Sequence, residues 1–163
     1  MNKIVHIENK IIEPEQLDRL LSLWRFRNEK IVFTNGCFDV LHVGHLKYLA
    51  ASADLGTKLI IGLNADESVR RLKGSDRPIN NQEARATLLA GFSFIDAVVY
   101  FSEDTPLNLI KKVKPHVLVK GGDYQIESIV GYNEVINSGG EVITVDFVKG
   151  FSSSSIIKKS GLM

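Results

Sequence analysis

Short apolar runs rich in β-branched residues alternate with amphipathic segments along most of the chain. The apolar runs predict five strands, at residues 31–35, 58–64, 97–101, 117–120 and 142–146. Because these runs are almost continuously apolar, they are typical of strands buried on both faces of a parallel sheet. Strands that alternate with helices predict an α/β fold: a Rossmann-like, doubly wound, five-stranded parallel sheet with helices on both faces.

The segments between these strands predict helices with one apolar face, at residues 44–54, 82–92, 107–113 and 156–159. Three of them follow capping signals, which are Asn80-Asn81, Thr105-Pro106 and the serines of 152–155. Ahead of the first strand, residues 13–28 carry Leu17, Leu20, Leu21 and Trp24 at helical spacing. This pattern predicts an amphipathic helix that packs on the sheet edge or on a partner subunit. We expect one domain overall, with residues 1–29 as an N-terminal helical extension of the α/β domain at 30–163.

Composition and charge narrow the class of protein. The chain has 163 residues, enough for one domain with a core, and it is 44% hydrophobic and 24% charged. A net charge of +1 gives no electrostatic case for a nucleic-acid or membrane partner. The single cysteine fits a reducing cytoplasm, and the polar N-terminus does not resemble a signal peptide. These features predict a cytoplasmic protein that acts on small molecules.

The segment from Thr34 to His45 carries the clearest chemistry. An apolar strand enters a turn through Asn35, Gly36, Cys37 and Phe38, and two histidines follow, His42 and His45, at the start of a helix. Free backbone N–H groups and the helix dipole make such a junction an anion site. The segment therefore predicts a nucleotide site that stabilises charge on a transferring phosphoryl group. Two alternatives stay open: a zinc site formed by Cys37, His42 and His45, and a purely structural histidine pair.

Three further segments follow predicted strands and add to this site. The cations of residues 70–78, among them Lys73 and Arg77, predict a mobile loop over an anionic ligand, although an ordinary solvated loop is the alternative. Arg85, near the start of the next helix, either pairs with Glu83 on the surface or reaches a phosphate.

Gly121 and Gly122 permit close approach to a base or ribose, and Asp123 could accept from ribose hydroxyls, unless the segment is a simple turn. Ser153, Ser154 and Ser155 supply hydroxyl and backbone donors suited to nucleotide phosphates.

Together these motifs resemble the nucleotidyltransferase superfamily, which carries His-x-Gly-His near the N-terminus and a Ser/Thr-rich helix start near the C-terminus. Several blocks occur here in order: the His-x-Gly-His segment, Arg-Leu-Lys-Gly-x-x-Arg-Pro, Asp-Thr-Pro, Val-Lys-Gly-Gly-Asp-Tyr and Ser-x-x-x-Ile-Ile-Lys-Lys. The set is similar to the heptose 1-phosphate adenylyltransferases of ADP-heptose synthesis over residues 10–159. Many bacteria fuse this domain behind a sugar kinase, so the chain resembles the stand-alone form, with 30–163 as the nucleotidyltransferase domain.

The resemblance implies roles for residues that match the family's motifs. The catalytic candidates are His42 and His45, which contact the triphosphate and the α-phosphate, and Lys73, which bridges both substrates' phosphates. The candidates for nucleotide binding are these two histidines together with Thr34, Asn35, Gly36, Cys37, Phe38, Gly121, Gly122, Asp123, Ser153, Ser154 and Ser155. The candidates for acceptor binding are Asp39, Lys73, Arg77 and Arg85. Lys47 also matches a lysine of related cytidylyltransferases.

The reaction implied by the resemblance is AMP transfer from ATP to D-glycero-β-D-manno-heptose 1-phosphate, giving ADP-heptose for lipopolysaccharide core and pyrophosphate. Mg²⁺ would arrive on ATP, with no metal held by the protein itself. A cytidylyltransferase for glycerol 3-phosphate or a similar alcohol phosphate is the alternative. Those enzymes carry Arg-Tyr-Val-Asp-Glu-Val, whereas residues 93–98 begin with Ser93, which favours ATP over CTP.

Other classes of protein remain as weaker alternatives. A non-catalytic nucleotide-binding module would not need His42, His45 and Lys73, and all three are present. Aminoacyl-tRNA synthetases share the histidine signature but need a basic surface for tRNA. The apolar stripe of residues 13–28, together with relatives of this fold, suggests a homodimer.

Overall fold

A sheet of five parallel strands forms the centre of the computed structural model, which describes residues 2–122, 124–146, 150 and 152–161. The strands are β1 (Ile31–Gly36), β2 (Lys58–Asn64), β3 (Ala97–Phe101), β4 (Val117–Gly121) and β5 (Glu141–Val145). Their order in the sheet is β3-β2-β1-β4-β5. All five predicted strands are confirmed, β2 and β3 with the predicted bounds. β1 and β4 extend one residue further, and β5 lies one residue earlier.

Eight α-helices connect or flank the strands in the described part of the chain. They are α1 (Lys3–Glu8), α2 (Pro14–Phe26), α3 (Val43–Ala53), α4 (Asp66–Lys73), α5 (Gln82–Ala90), α6 (Leu107–Val113), α7 (Tyr132–Asn137) and α8 (Ser153–Ser160). A 3₁₀ turn at Ile126–Ser128 precedes α7. The sequence does not predict α1 or α7, because six residues are too few to establish a helical period.

Side-chain caps begin two of the helices as predicted. Asn81 accepts from the backbone N–H of Ala84 at the start of α5, and Ser152 accepts from Ser155 at the start of α8. The predicted cap of α6 is wrong: Pro106 itself occupies the N-cap position, and no side chain caps this helix. Thr105 therefore lies outside the helix start and is available to the adjoining surface.

Helices cover both faces of the sheet, as the sequence predicts. On one face, α2, α6 and α7 pack against alternate strand residues such as Phe33 and Ile60. On the other, α3 and α5 pack against the intervening residues, among them Val32 and Ile61. Alternating burial of this kind follows from the two-residue period of a strand. No helix of the described residues is long and apolar enough to cross a bilayer.

The residues before β1 belong to this core. Leu17, Leu21 and Trp24 of α2 are buried against the sheet face, so the prediction that this helix packs on the edge is wrong. The edge is instead occupied by the segment just before α2. The N–H of Ile12 donates to the carbonyl of Val98 at 2.9 Å, and the N–H of Val98 donates to that of Lys10 at 2.8 Å.

The strand order determines where a ligand can lie. The chain leaves β1 toward β2 on one side and reaches β4 on the other, so β1 and β4 flank the switch point of the sheet. Ligands of open α/β sheets bind outside the carboxyl ends of the strands at this point. The loop after β1, which holds the two histidines, lies there as predicted.

Candidate active site

Two adjoining cavities open at the carboxyl ends of β1 and β4. The larger has a volume of 530 Å³ and extends toward β3 and the 3₁₀ turn, past Asn64, Asp104 and Thr105. The smaller has a volume of 220 Å³ and extends toward α3 and α8, past His45 and Ser153. The residues that line both are Asn35, Gly36, Cys37, Lys73, Lys120 and Tyr124. The geometry is that of two ligand sites that meet at a shared wall.

The two histidines lie face to face at the start of α3. Their ring centroids are 3.9 Å apart with planes inclined by 22°, and the ring of Phe38 approaches His45 edge-on at 5.2 Å. His42 is the N-cap residue, and its Nδ1 accepts from the backbone N–H of His45 at 3.4 Å. A neutral His42 therefore carries its hydrogen on Nε2. This arrangement gives the loop a hydrogen-bond donor directed away from the helix backbone.

Burial keeps both imidazoles neutral near pH 7. Burial lowers the pKa of His42 from its ordinary value. Burial, with His42 and Lys73 nearby, lowers the pKa of His45 to about 4. No described residue forms a hydrogen bond with the buried Nδ1 of His45. The pair is suited to donating hydrogen bonds to an anion rather than to carrying positive charge.

Asp39 and Arg77 form a buried ion pair beneath the smaller cavity, with the arginine Nε 2.5 Å from the carboxylate. The same carboxylate accepts from the backbone N–H groups of Ile79 at 2.7 Å and Asn80 at 3.0 Å. Arg77 is only 5% exposed, yet no described residue bonds to its Nη2. Asp39 is thus engaged in holding Arg77, while Arg77 keeps one donor at the wall of the cavity.

The predicted mobile loop at residues 70–78 is only partly correct. Residues 70–73 form the last turn of α4, and the loop begins at Gly74. Arg71 pairs with Asp104 at 2.9 Å, whereas Lys73, the last residue of α4, lines both cavities and forms no ion pair with a described residue. The loop is therefore shorter than predicted, because its first four residues belong to the helix that precedes it.

Arg85 lies below the site and is fully buried. Its guanidinium donates to the carbonyl of Cys37 at 2.6 Å and to the carbonyl of Asn80 at 3.0 Å, and it pairs with Asp66 at 2.7 Å. It lines neither cavity, and it does not pair with Glu83 on the surface. Its contacts position the loop after β1 from beneath. Lys47 is exposed on α3 and also lines neither cavity.

The start of α8 approaches the histidine loop, as the sequence predicts. The Ser153 hydroxyl donates to the carbonyl of Val40 at 2.9 Å, and Ser153 lines the smaller cavity. Ser154 and Ser155 follow in the first turn. The N–H of Ser155 donates to the Ser152 hydroxyl, whereas that of Ser154 has no partner within the helix. Gly121 lines the same cavity, and Gly122 follows at a φ of +100°, while Asp123 lies outside the described residues.

Thr34 and Cys37 differ in their access to the cavities. Thr34 is fully buried, and its hydroxyl lies 2.6 Å from the hydroxyl of Tyr48, so it lies below the cavity floor. Cys37 lines both cavities, and burial raises the pKa of its thiol. Among the described residues, no group of three His, Cys, Asp or Glu side chains could hold a metal ion. The alternative of a zinc site at Cys37, His42 and His45 therefore has no geometric support.

Sequence reasoning missed several residues of the cavity walls. Tyr48 lines the smaller cavity, and the sequence gives it no role. Four more residues of the walls occur in the sequence motifs but receive no role there: Asp104, Thr105, Lys120 and Tyr124. Lys120 does carry a signal in the sequence: it is the one charged residue of β4, at the end of the strand where ligands of open parallel sheets bind. Ser93 is exposed and precedes β3 at the amino ends of the strands. The argument from Ser93 for ATP over CTP therefore has no direct geometric basis.

Replacing Asp39 by alanine should cost about 3–5 kcal/mol of unfolding free energy, because the Arg77 charge stays buried without its partner. Asp104→Ala, which removes the 72% exposed partner of Arg71, is the matched control and should cost about 1 kcal/mol or less. Urea unfolding of the two variants checks this, and equal losses would contradict it.

The lowered pKa of His45 should make stability depend on pH. Below pH 6.5 the unfolded chain takes up a proton at this residue, and the folded chain does not until about pH 4. The contribution of the neutral His45 side chain to the unfolding free energy is therefore complete above pH 6.5 and declines as pH falls to about 4. Urea unfolding of the parent and of His45→Asn across this range checks the prediction. As pH falls, the parent should lose unfolding free energy relative to the variant. A difference that does not change with pH would contradict this.

Comparison with known proteins agrees with this geometry. A lipopolysaccharide core biosynthesis protein from Thermoplasma volcanium matches with a TM-score of 0.61 and 27% identity, over 76% of this chain and 99% of that chain. Pantoate-beta-alanine ligase from Francisella tularensis, solved with beta-gamma ATP and beta-alanine, matches with a TM-score of 0.62 over 93% of this chain and 77% of that one. At 16% identity the second shows a shared fold alone.

Sequence relatives and a family model identify the family. The bifunctional protein HldE of Nitrobacter hamburgensis is 50% identical over 94% of this chain and 32% of its own length. That of Helicobacter hepaticus is 53% identical over 94% of this chain and 30% of its own. The chain thus spans about a third of the length of these curated relatives. The cytidylyltransferase-like family model matches residues 33–159, which confirms the predicted superfamily. The chain belongs to the cytidylyltransferase-like family.

Proposed function

We propose that this protein transfers AMP from ATP to D-glycero-β-D-manno-heptose 1-phosphate, releasing pyrophosphate and ADP-heptose. The observation that carries the proposal is the pair of adjoining cavities, one rich in phosphate donors and the other roomy enough for a sugar. They share the wall that holds Lys73. An acceptor phosphate and a nucleotide could therefore meet there without a covalent intermediate on the protein.

The smaller cavity suits the phosphates of the nucleotide. His45 and Arg77 present N–H groups along its wall, and Ser153 lines it with its hydroxyl donating to Val40. The start of α8 adds backbone N–H groups and the positive end of a helix dipole. Because the two histidines are neutral, they would donate hydrogen bonds to phosphate oxygens. Arg77, whose charge is paired with Asp39, adds one unbonded N–H donor.

The larger cavity suits a sugar phosphate. Polar groups from Asn64, Asp104 and Thr105 lie beside apolar groups such as Leu72 and Phe101. A sugar ring presents hydroxyls at its edge and C–H groups on its faces, which matches a wall of this mixed kind. The similarity to a lipopolysaccharide core biosynthesis protein supports an acceptor from that kind of pathway. The resemblance of the sequence motifs to heptose 1-phosphate adenylyltransferases specifies a heptose phosphate.

The chemistry needs positioning more than proton transfer. The attacking atom is an oxygen of the acceptor phosphate, which is largely ionised near neutral pH because its second pKa is about 6. No general base is therefore required. Catalysis comes from holding the two substrates in line and from stabilising charge at the α-phosphate, the task we give to His42, His45 and Lys73.

Mg²⁺ would enter with ATP and neutralise the leaving pyrophosphate. Among the described cavity residues, the carboxylate of Asp39 already accepts from Arg77 and two backbone N–H groups, and that of Asp104 pairs with Arg71. The donor set thus fits a cation coordinated by phosphate oxygens and water rather than by carboxylates of the chain.

Pyrophosphate release in the presence of Mg²⁺ tests the function, with ATP and CTP each combined with heptose 1-phosphate and with glycerol 3-phosphate. Of the four combinations, we expect only ATP with heptose 1-phosphate to release pyrophosphate. Release with CTP and glycerol 3-phosphate would instead place the chain among the cytidylyltransferases for alcohol phosphates. No release in any of the four combinations would contradict both assignments.

His45→Ala should lower kcat by about 10²–10³, the usual cost of removing one donor to a transition-state oxyanion. Lys47→Ala, an exposed change on the same helix that lines neither cavity, is the control and should turn over like the parent. Steady-state rates with saturating ATP, together with circular dichroism to verify folding, check the prediction. A His45→Ala variant with the kcat of the parent would remove His45 from the mechanism.

A further inference from the structure

We propose that Lys120 contacts the substrate and binds the phosphate of the acceptor, together with Lys73, where the two cavities meet. This inference rests on the proposed function and assigns one phosphate subsite within it. Lys120 is the next-to-last residue of β4 and lines both cavities. It is therefore a fixed cation at the boundary where the acceptor oxygen must approach the α-phosphorus.

The sheet fixes the position of Lys120. β1 and β4 pair with Val32 opposite Val117 and Phe33 opposite Leu118. Continuing this register by two residues brings Asn35 beside Lys120. The ammonium group donates to the Asn35 side-chain oxygen at 3.4 Å. Lys73 reaches the same boundary from α4, a different element, so one cation is anchored in the sheet and the other belongs to a helix end.

Charge around Lys120 is not balanced by the described part of the chain. No described carboxylate forms an ion pair with it, and the acidic residues of the two cavity walls, Asp39 and Asp104, pair with Arg77 and Arg71. Burial lowers the pKa of Lys120. A partly buried ammonium group without a counter-ion loses hydration that an anionic ligand would replace. The site is therefore more stable with a phosphate bound.

The acceptor phosphate fits this position better than the nucleotide phosphates do. The donors that we give to the nucleotide, including Arg77 and Ser153, line only the smaller cavity. Lys120 also faces the larger one, next to Asn35 and Tyr124. The acceptor phosphate lies between the sugar in the larger cavity and the α-phosphate in the smaller one. It is therefore the group that would contact a residue lining both cavities.

A purely structural role for Lys120 makes a different prediction, because its only hydrogen bond to a described residue is the one to Asn35. Lys120→Gln keeps an N–H donor for Asn35 but removes the charge, whereas Lys120→Arg keeps the charge. Lys111→Gln, on the exposed surface of α6, is the control for loss of one positive charge. A phosphate-binding role requires that arginine rescue function and that glutamine fail.

Initial rates with ATP and heptose 1-phosphate separate these roles. For Lys120→Gln we expect the KM of the acceptor to rise about 10- to 100-fold, the range for losing a charge-assisted hydrogen bond. The KM of ATP should change little, and Lys120→Arg should recover much of the loss. An acceptor KM like that of the parent in Lys120→Gln, or equal rises in both KM values, would overturn the proposal.

Binding of inorganic phosphate tests the subsite without depending on the reaction. Calorimetric titration is carried out with a non-hydrolysable ATP analogue and Mg²⁺ present, so that the nucleotide side is filled. The parent and Lys111→Gln should bind phosphate alike, and Lys120→Gln should bind about tenfold more weakly or worse. Equal binding by all three, or none by the parent, would overturn the proposal. A failure of the proposed function appears separately, as a parent enzyme that binds phosphate but releases no pyrophosphate from these substrates.

Discussion

The ion pair between Asp39 and Arg77 holds together the two loops from which the site is built. Asp39 lies between β1 and the histidines, and Arg77 lies between α4 and α5. The same carboxylate accepts two backbone N–H groups of the second loop, and the Asn80 side chain donates to the Asp39 carbonyl at 2.8 Å. Arg85 then binds the carbonyls of Cys37 and Asn80 from below. Because the pair is almost fully buried, neither loop can move independently without exposing or isolating a charge.

This construction divides the chemical work between two kinds of side chain. The histidines are neutral and stacked on each other. They can therefore supply directed hydrogen bonds without adding a net positive charge that attracts anions in general. Positive charge that no described carboxylate pairs with comes instead from Lys73 of α4 and Lys120 of β4, and Arg77, paired with Asp39, adds a donor. A ligand with one phosphate can satisfy only part of such a set, whereas two phosphorylated substrates side by side can satisfy it all. The proposed function therefore predicts that both cavities are occupied at the same time.

Much of the fold is predictable because the buried strands are continuously apolar and two helices, α5 and α8, begin at recognisable caps. The location of the histidine loop then follows from the rule for open parallel sheets. The binding partner of each arginine cannot be predicted in this way. An arginine that faces a ligand and one that pairs with a carboxylate can have the same local sequence. Arg77 and Asp39 are 38 residues apart, and only the folded chain reveals that they pair. The position of Ser93, by contrast, could be deduced: a residue ahead of a strand in a parallel sheet lies at the edge opposite the ligands.

The hydrogen bonds between residues 10–12 and Val98 have a consequence for association. An open edge strand presents unpaired N–H and C=O groups to which another chain can add. Here the outer side of β3 is already occupied by the parallel bridge at Ile11, and α2 continues directly onto the sheet face. The N-terminal segment thus protects the β3 edge of the sheet against pairing with another chain, a task unrelated to catalysis that a chain beginning at β1 could not perform.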